Sequence, residues 1–550
     1  MANALYYGDN LDVLRQHIGT ESVDLVYLDP PFNSNANYNV LFKAPGGEQS
    51  QAQIEAFEDT WHWNEAAERA FDGVMTSGNS NAADMLRAMR SFLGANDMMA
   101  YLAMMAVRLI ELHRVLKKTG SLYLHCDPTA SHYLKILLDA VFGKACFLNE
   151  VIWKRTSSHS SARRWGPVHD TILLYGKEPG YCWNHVFESY DESYLDRFYR
   201  FEDEVGRFRI SDLTGAGTRT GDSGLPWRDV DPTQVGRHWA VPTAVIMRSG
   251  LNGNFENLTT QEKLDRLDEL GLIYWPPAGK VPQFKRYLEE GRGVAIQDMI
   301  TDIKPISSQA KERLGYPTQK PVALLERILS ASSNEGDVVL DPFCGCGTTV
   351  HAAQKLNRQW IGIDVTHLAI SLIEKRLKDA FPGVAFEVHG TPKDEAGARD
   401  LALRDKYQFQ WWAVSLVDAV PFAGKKKGAD GGIDGLIYFK PDGKTTERAI
   451  VSVKGGDHVS VAMIRDLKGV MDREKAPMAI FLSLAAPTQP MIAEAASAGL
   501  YETGHGKFPR LQIITITDLF SGKRPHLPFG HSEGFKRAAK ETEGKQGKLL

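Results

Sequence analysis

Two short stretches place chemistry-bearing residues at the ends of apolar runs. In Val338-Val-Leu-Asp341-Pro-Phe343-Cys-Gly345-Cys-Gly347-Thr-Thr, an apolar run ends in an acid and a turn with two glycines opens a helix. Glycines let the backbone approach a ligand, and a helix N-terminus offers unpaired amide groups, so this pattern suits a nucleoside-cofactor cradle. Downstream, Gln359-Trp-Ile-Gly-Ile-Asp364 is a second strand ending in an acid, a helix and a turn away, where a carboxylate could accept from ribose hydroxyls. The other stretch, Asp29-Pro30-Pro31-Phe32, is a rigid corner after the apolar run Val23–Leu28. An extruded nucleobase would suit it, with the carboxylate and a proline carbonyl accepting from an exocyclic amine while the aromatic ring stacks. So held, the amine lone pair can be aimed at an electrophilic methyl group. Read alone, Asp29–Phe32 fits a strand-ending turn around a structural phenylalanine at least as well.

The elements that must position these loops alternate along the chain. The run Val23–Leu28 reads as a strand stopped by two prolines. Apolar residues at three-to-four spacing predict a helix near 98–116, closed by Lys117, Lys118 and Gly120. Strands over 121–125, 150–154 and 171–175 flank a helix over 131–142. After residue 305 the alternation returns, with helices at 322–332 and from 348, and strands at 338–340 and 360–363. This predicts an α/β fold with a mostly parallel sheet covered by helices. Between 176 and 305 periodicity is lost, and just before and within this region arginines (Arg155, Arg163, Arg164, then Arg219, Arg228, Arg237) interleave with Trp165, Trp227 and Trp239. Such residues could face phosphates, guanine edges or base steps, as could Lys280–Arg292, although aromatics in an irregular region also build its own core. Residues 391–405 are polar and apolar-poor and read as a linker. Strands at 433–439, 449–454 and 478–484 follow in a segment over 406–530, and 531–550 reads as a solvated tail.

Composition bounds the answer. The 550 residues carry 64 basic and 68 acidic side chains, a net charge of −4 that does not advertise nucleic-acid binding but leaves room for a local basic groove. No apolar stretch is long enough to span a membrane and no secretory signal is visible, so the expected setting is the cytoplasm. Five cysteines are too few and scattered for a disulfide framework. Cys344 and Cys346 flank Gly345 without two further ligands at metal-site spacing, and no Pro-Cys pair provides the thiolate that methylation at cytosine C5 needs.

Taken together, the two loops resemble those of the S-adenosylmethionine-dependent amino-methyltransferases of DNA, which act on adenine N6 or cytosine N4. That family has an FxGxG cofactor loop and a (D/S/N)PP(Y/F/W) base loop, and the order found here, base loop first, is similar to its β group. Gly8-Asp9-Asn10, Leu122-Tyr-Leu-His-Cys-Asp127, Asn149-Glu-Val-Ile-Trp153, His169-Asp-Thr-Ile-Leu and Tyr316-Pro-Thr-Gln-Lys-Pro321 agree in order and spacing. The resemblance implies a Rossmann-like methyltransferase core over 1–175 and 306–390, a target-recognition region over 176–305, and S-adenosylmethionine and double-stranded DNA as ligands. It further implies that Asp29 and the Pro30 carbonyl orient the amine, with Pro31 completing the corner and Phe32 stacking. Asp341, Phe343, Gly345 and Gly347 would surround the methionine end of the cofactor. Asp364 would bind its ribose, and Asp9, Thr318 and Lys320 would line the remaining wall. An aspartate before the two prolines favours adenine N6, with cytosine N4 as the alternative. A homodimer is left open.

The C-terminal segment holds a second pattern. Gly428-Ala-Asp-Gly-Gly-Ile-Asp434-Gly opens one strand and Ile450-Val-Ser452-Val-Lys454-Gly-Gly forms the next. Ser452 and Lys454 fall on one strand face, so Lys454 can stand beside Asp434 across a paired strand. This resembles the D…(E/Q)xK core of Mrr-like restriction nucleases, which implies Mg²⁺ on Asp434 and water activation by Lys454. Ser452 stands where that family has Glu or Gln and provides no carboxylate. The expectation is therefore a restriction-endonuclease-like α/β domain that either cleaves DNA or merely grips it, with Lys425–Lys427 near phosphates.

Overall fold

In the computed structural model, nine strands form one sheet from both ends of the chain. They are β1 (Ala4–Tyr7), β2 (Val23–Leu28), β3 (Leu116–Cys126), β4 (Phe147–Lys154), β5 (His169–Gly176), β6 (Met299–Ile300), β7 (Val338–Asp341), β8 (Gln359–Asp364) and β9 (Glu387–His389). The order across the sheet is β6-β4-β5-β3-β2-β7-β8-β1-β9. Every neighbour pair is parallel except those made by β5, which runs antiparallel to both β3 and β4. The structure describes residues 3–31, 62–156, 163, 165–242, 258–276, 281–307, 309–316, 318–422, 432–442, 445–528 and 541, with the backbone of 37–43 and 49–58. Phe32, Arg164, Lys280 and Lys425–Lys427 lie outside the described residues.

Strand alternation splits the apolar content between two layers. Val26 and Leu28 of β2 face one core with helices α1 (Asn10–His17), α2 (Asp97–Val115) and α3 (Ser131–Phe142). Leu25 and Tyr27 face the other, with α4 (Val322–Ser332), α5 (Thr348–Lys355) and α6 (His367–Ala380). The central strands β2 and β7 are covered on both sides, which is why their sequences are nearly continuous apolar runs. Both candidate loops leave the carboxyl ends of these two paired parallel strands, the end at which open α/β sheets bind ligands.

Contacts divide the chain into two compact units, Met1–Asn184 with Gln297–Gly544, and His185–Ile296. The expected boundaries at 176 and 305 thus fall inside the larger unit. The Asn184 side chain donates to the carbonyls of Ser330 and Ser333, and β6 pairs with β4 as an edge strand. The smaller unit is less irregular than its sequence suggests: Ile273–Tyr274, Gln283–Tyr287, Arg207–Asp212 and Phe201–Glu202 form an antiparallel sheet. Trp227 and Trp239 are buried in its own core with Leu213, Leu264 and Phe284 rather than exposed as wedges. Arg228 and Arg237 are paired with Asp268 and Asp212.

The linker expected over 391–405 is instead a helix, α7 (Glu395–Arg404), followed at once by α8 (Lys406–Ser415). The apolar residues are few but correctly spaced: Ala398, Leu401 and Ala402 share one face and are buried with Phe409 and Trp412. Asp394 caps α7 by accepting from the Gly397 amide at 2.7 Å. A second sheet follows, of β10 (Val420–Pro421), β11 (Gly435–Phe439), β12 (Glu447–Lys454), β13 (Met478–Ser483) and β14 (Leu511–Thr515), in that order. In the expected tail, Glu541 pairs with His351 at 3.0 Å. Among the described residues no helix is long and apolar enough to cross a membrane.

Candidate active site

A cavity of about 980 Å³ opens at the carboxyl ends of β2, β7 and β8, and both loops line it. From the base loop come Asp29, Pro30 and Pro31; from the cofactor loop come Asp341, Phe343 and Gly345; Asp9, Thr318, Lys320 and Asp364 complete the expected set. Residues some three hundred positions apart are therefore brought together because β2 and β7 are sheet neighbours.

The cofactor loop is shaped by its glycines and held by side chains. Gly345 and Gly347 have φ of +50° and +74°, which residues with a Cβ rarely adopt. Gly347, expected around the cofactor, does not line the cavity. It starts α5 against α6, and a Cβ there would sit 2.8 Å from Ile373 Cγ1, so its role is close helix packing. The Asn10 side chain donates to the Pro342 carbonyl at 2.8 Å, and the Phe343 amide donates to Asp341 Oδ1 at 3.0 Å. Asp364 accepts from the Gly345 amide at 3.0 Å and the Thr366 amide at 2.9 Å, tying the two acid-ended strands together. Asp9 caps α1 and is clamped by Arg108, which donates to both carboxylate oxygens at 2.9 and 2.8 Å.

Burial sets the electrostatics. Removal from water pushes the Asp341 carboxyl up to about 7, with the charges of Asp29 and Asp364 adding to the effect and hydrogen bonds from Thr349 and Phe343 opposing it. Asp364 is pushed up to about 6, again chiefly by burial. The thiols of Cys344 and Cys346 are raised by burial, which keeps them protonated and inert, and no cluster of metal-ligating residues occurs among the described residues. A cavity with carboxyls held this far from their ordinary ionisation fits a cationic ligand that also offers hydroxyls.

Lys320 lines the cavity with the expected wall residues and also reaches the base loop. Its ammonium forms an ion pair with Asp29 Oδ2, while Asp29 Oδ1 is buried without a hydrogen-bond partner. One oxygen of the base-loop acid is thus fixed and the other is an acceptor that nothing among the described residues satisfies. Behind this pair runs a buried chain: Tyr27 Oη lies 2.8 Å from His125 Nδ1, His125 Nε2 lies 3.1 Å from Asp170 Oδ2, and Arg155 pairs with Asp170 at 3.1 Å. Tyr27, His125, Asp170 and Arg108 have no role assigned from the sequence, and Arg155, expected near phosphates or guanine edges, pairs with Asp170. His125 and Asp170 stood inside the motif blocks, so the signal was present without its partners.

Residues 23–375 match the DNA methylase family model, well over half of the chain. The chain belongs to the DNA methylase family. Residues 401–503 match the restriction endonuclease model of the Mrr type, so a second domain follows the methylase. Among relatives, the type II methyltransferase M.EcaI of Enterobacter cloacae is 29% identical over 68% of this chain and 69% of its own length. The StyLTI Mod subunit of a type III restriction-modification enzyme from Salmonella typhimurium is 26% identical over 65% of this chain and 50% of its own. The DNA adenine methyltransferase YhdJ of Escherichia coli is 24% identical over 72% of this chain and 90% of its own.

In the methylase's C-terminal domain, β11 and β12 pair antiparallel with Gly435 opposite Val451. The buried Asp434 carboxylate accepts from the Val453 amide, between Ser452 and Lys454, and from the Gln410 side chain of α8. Ser452 is buried and Lys454 half-buried at the strand end. Asp434 thus stands at the strand start beside Ser452 and Lys454, engaged by two donors, while Asp430 of the preceding loop lies outside the described residues.

Proposed function

We propose that this methylase transfers a methyl group to the exocyclic amine of a base flipped out of double-stranded DNA, with adenine N6 as the target. The observation that carries the reading is the single cavity lined by Asp29–Pro31 and Asp341–Gly345 together. S-adenosylmethionine fits the cofactor half: a glycine turn opens to a helix N-terminus, and two buried carboxyls await a cationic, hydroxyl-bearing ligand. When bound, that group supplies an electrophilic methyl carbon. Asp364 would hold its ribose, Asp341, Phe343 and Gly345 its methionine end, and Asp9 and Thr318 the outer wall. The unsatisfied Asp29 Oδ1 and the Pro30 carbonyl would accept the two amine hydrogens, with Phe32 stacking on the ring. Lys320 would hold Asp29 Oδ2 in its ion pair and leave Oδ1 turned to the amine. Catalysis would then be positioning and exclusion of water, without a covalent enzyme intermediate. The unit His185–Ile296 would read the target sequence. Adenine is favoured over cytosine N4 by the aspartate at position 29, and a relative is named a DNA adenine methyltransferase.

The test is Asp29→Ala. Cofactor affinity by calorimetry should stay within about threefold while methyl transfer falls below detection, because only the amine acceptor is removed. Sequencing modified bases in DNA from cells with and without the protein reports base and motif. Retained transfer in Asp29→Ala refutes the assignment. A second reading, that the C-terminal domain also cuts DNA, is favoured by the restriction endonuclease match over 401–503.

A further inference from the structure

Transfer to an amine leaves one proton too many on nitrogen; in the base loop Asp29 and the Pro30 carbonyl orient the amine, but Asp29 is engaged by Lys320 and no route leads the proton away. The buried chain behind the loop does. Tyr27, at the end of β2, and Asp29, just past it, both line the cavity. Tyr27 Oη meets His125 Nδ1 on β3, and His125 Nε2 meets Asp170 on β5, with both His125 and Asp170 buried. Burial works against the Asp170 carboxylate, but the His125 ring, then Lys320 and Arg155, hold the carboxyl below its ordinary range, so Asp170 acts as an acceptor. With Asp170 as acceptor, His125 carries a hydrogen on Nε2, and Nδ1 is placed to accept the Tyr27 hydroxyl hydrogen. That orientation turns the remaining lone pair of the phenol oxygen away from His125.

Resting on the methyl-transfer reading above, we propose that Tyr27, His125 and Asp170 form the relay that removes the surplus amine proton. The proton leaves nitrogen, whose N–H electron pair stays behind as the product lone pair, and joins a lone pair of Tyr27 Oη. In the same movement the phenolic proton passes to His125 Nδ1. The resulting imidazolium keeps its Nε2 hydrogen on Asp170, whose charge compensates it; once product has left, Nδ1 returns a proton to the phenolate-side lone pair of Tyr27 Oη, and the Tyr27 hydroxyl releases its surplus proton to water entering the cavity. Tyr27 is the catalytic residue of the three; His125 and Asp170 act through it.

Two measurements test this on the full-length protein. The first needs no cofactor: ¹⁵N-histidine NMR, with the His125 signals identified by their loss in His125→Asn. The relay requires a neutral ring protonated at Nε2 with Nδ1 as acceptor, and an Nδ1-protonated tautomer overturns it. The second is single-turnover methylation of the duplex that genomic sequencing identifies as modified. Tyr27→Phe and His125→Asn should each slow the chemical step by about 10²-fold, the scale of general-base assistance, with S-adenosylmethionine and DNA affinities within about twofold. The double variant should be no slower than the slower single one, because both remove one pathway. Wild-type speed in a folded Tyr27→Phe protein refutes the relay and leaves the methyl-transfer reading intact. No transfer by the wild type refutes that reading instead.

Discussion

The raised ionisation of Asp341 predicts a stability cost that the chain carries for its site. In the folded protein this carboxyl titrates at about 7, against an ordinary 3.8. Between those values the folded state binds a proton that the unfolded chain releases, so Asp341 favours folding at acid pH and that contribution is lost as pH rises through about 7. Working the linkage from about pH 5 to about pH 8, the loss is roughly 3 kcal/mol. Asn at this position cannot ionise, yet keeps the oxygen that accepts from the Phe343 amide. Asp341→Asn should therefore gain stability over the wild type on going from pH 5 to pH 8, by roughly that amount. Asp364, raised to about 6, is common to both proteins and drops out of the difference to first order. Urea unfolding of the two proteins at several pH values measures it directly, since titrations elsewhere in the chain cancel. The functional counterpart is an apparent S-adenosylmethionine affinity that strengthens about tenfold between pH 6 and 8 in the wild type, as the cationic ligand finds Asp341 ionised, and does not in the variant. A stability difference independent of pH would refute the argument that burial strains this carboxylate.

Lys320→Met removes the counter-charge of Asp29; methyl transfer should fall about 10²-fold with cofactor affinity changed less than threefold, and the reverse pattern would return Lys320 to the cofactor wall. For the C-terminal domain, incubation of unmodified DNA with Mg²⁺ should give cleavage by the wild type that Lys454→Ala abolishes, and cleavage unaffected by Lys454→Ala sinks the nuclease reading. Ending the chain at Gly390 should destabilise the methylase by at least about 2 kcal/mol in thermal unfolding. The cluster Leu314, Tyr316, Leu368 and Leu372 is packed by Trp411, Val420 and Phe422 of the second domain, and an unchanged Tm would contradict that seam.

What the sequence revealed was set by where a partner lies along the chain. Loop chemistry was legible because each loop carries its own acid, glycines or prolines within a few residues, immediately after an apolar run. Strands were legible where burial on both faces leaves long apolar stretches, as in β2 and β7. The helix α7 was missed because three buried residues in ten, two of them alanines, leave little apolar signal, although Asp394 and the 398-401-402 spacing were there to read. Trp227 and Trp239 misled in the other direction: a small antiparallel unit fills its core with indoles, and a sequence cannot say which side of the ring meets water.

The groups missed at the site share a physical cause. Lys320 and Asp29 are 291 residues apart, and His125 and Asp170 are 45, so no local pattern joins either pair. Their meeting depends on strand order, in particular on β5 inserting antiparallel between β3 and β4, which sets Asp170 beside the end of β3 where His125 stands. A sequence shows that a buried histidine and a buried aspartate exist; only the sheet decides that each is the other's solution to burial. Because a buried unpaired charge costs far more than a surface one, these pairings constrain the fold as strongly as apolar packing does. The same strand order that makes the fold tolerable to these charges is what sets His125 against Tyr27, two residues before Asp29 at the cavity. Site and scaffold are therefore one electrostatic system, and a change in either His125 or Asp170 must be felt at the base loop.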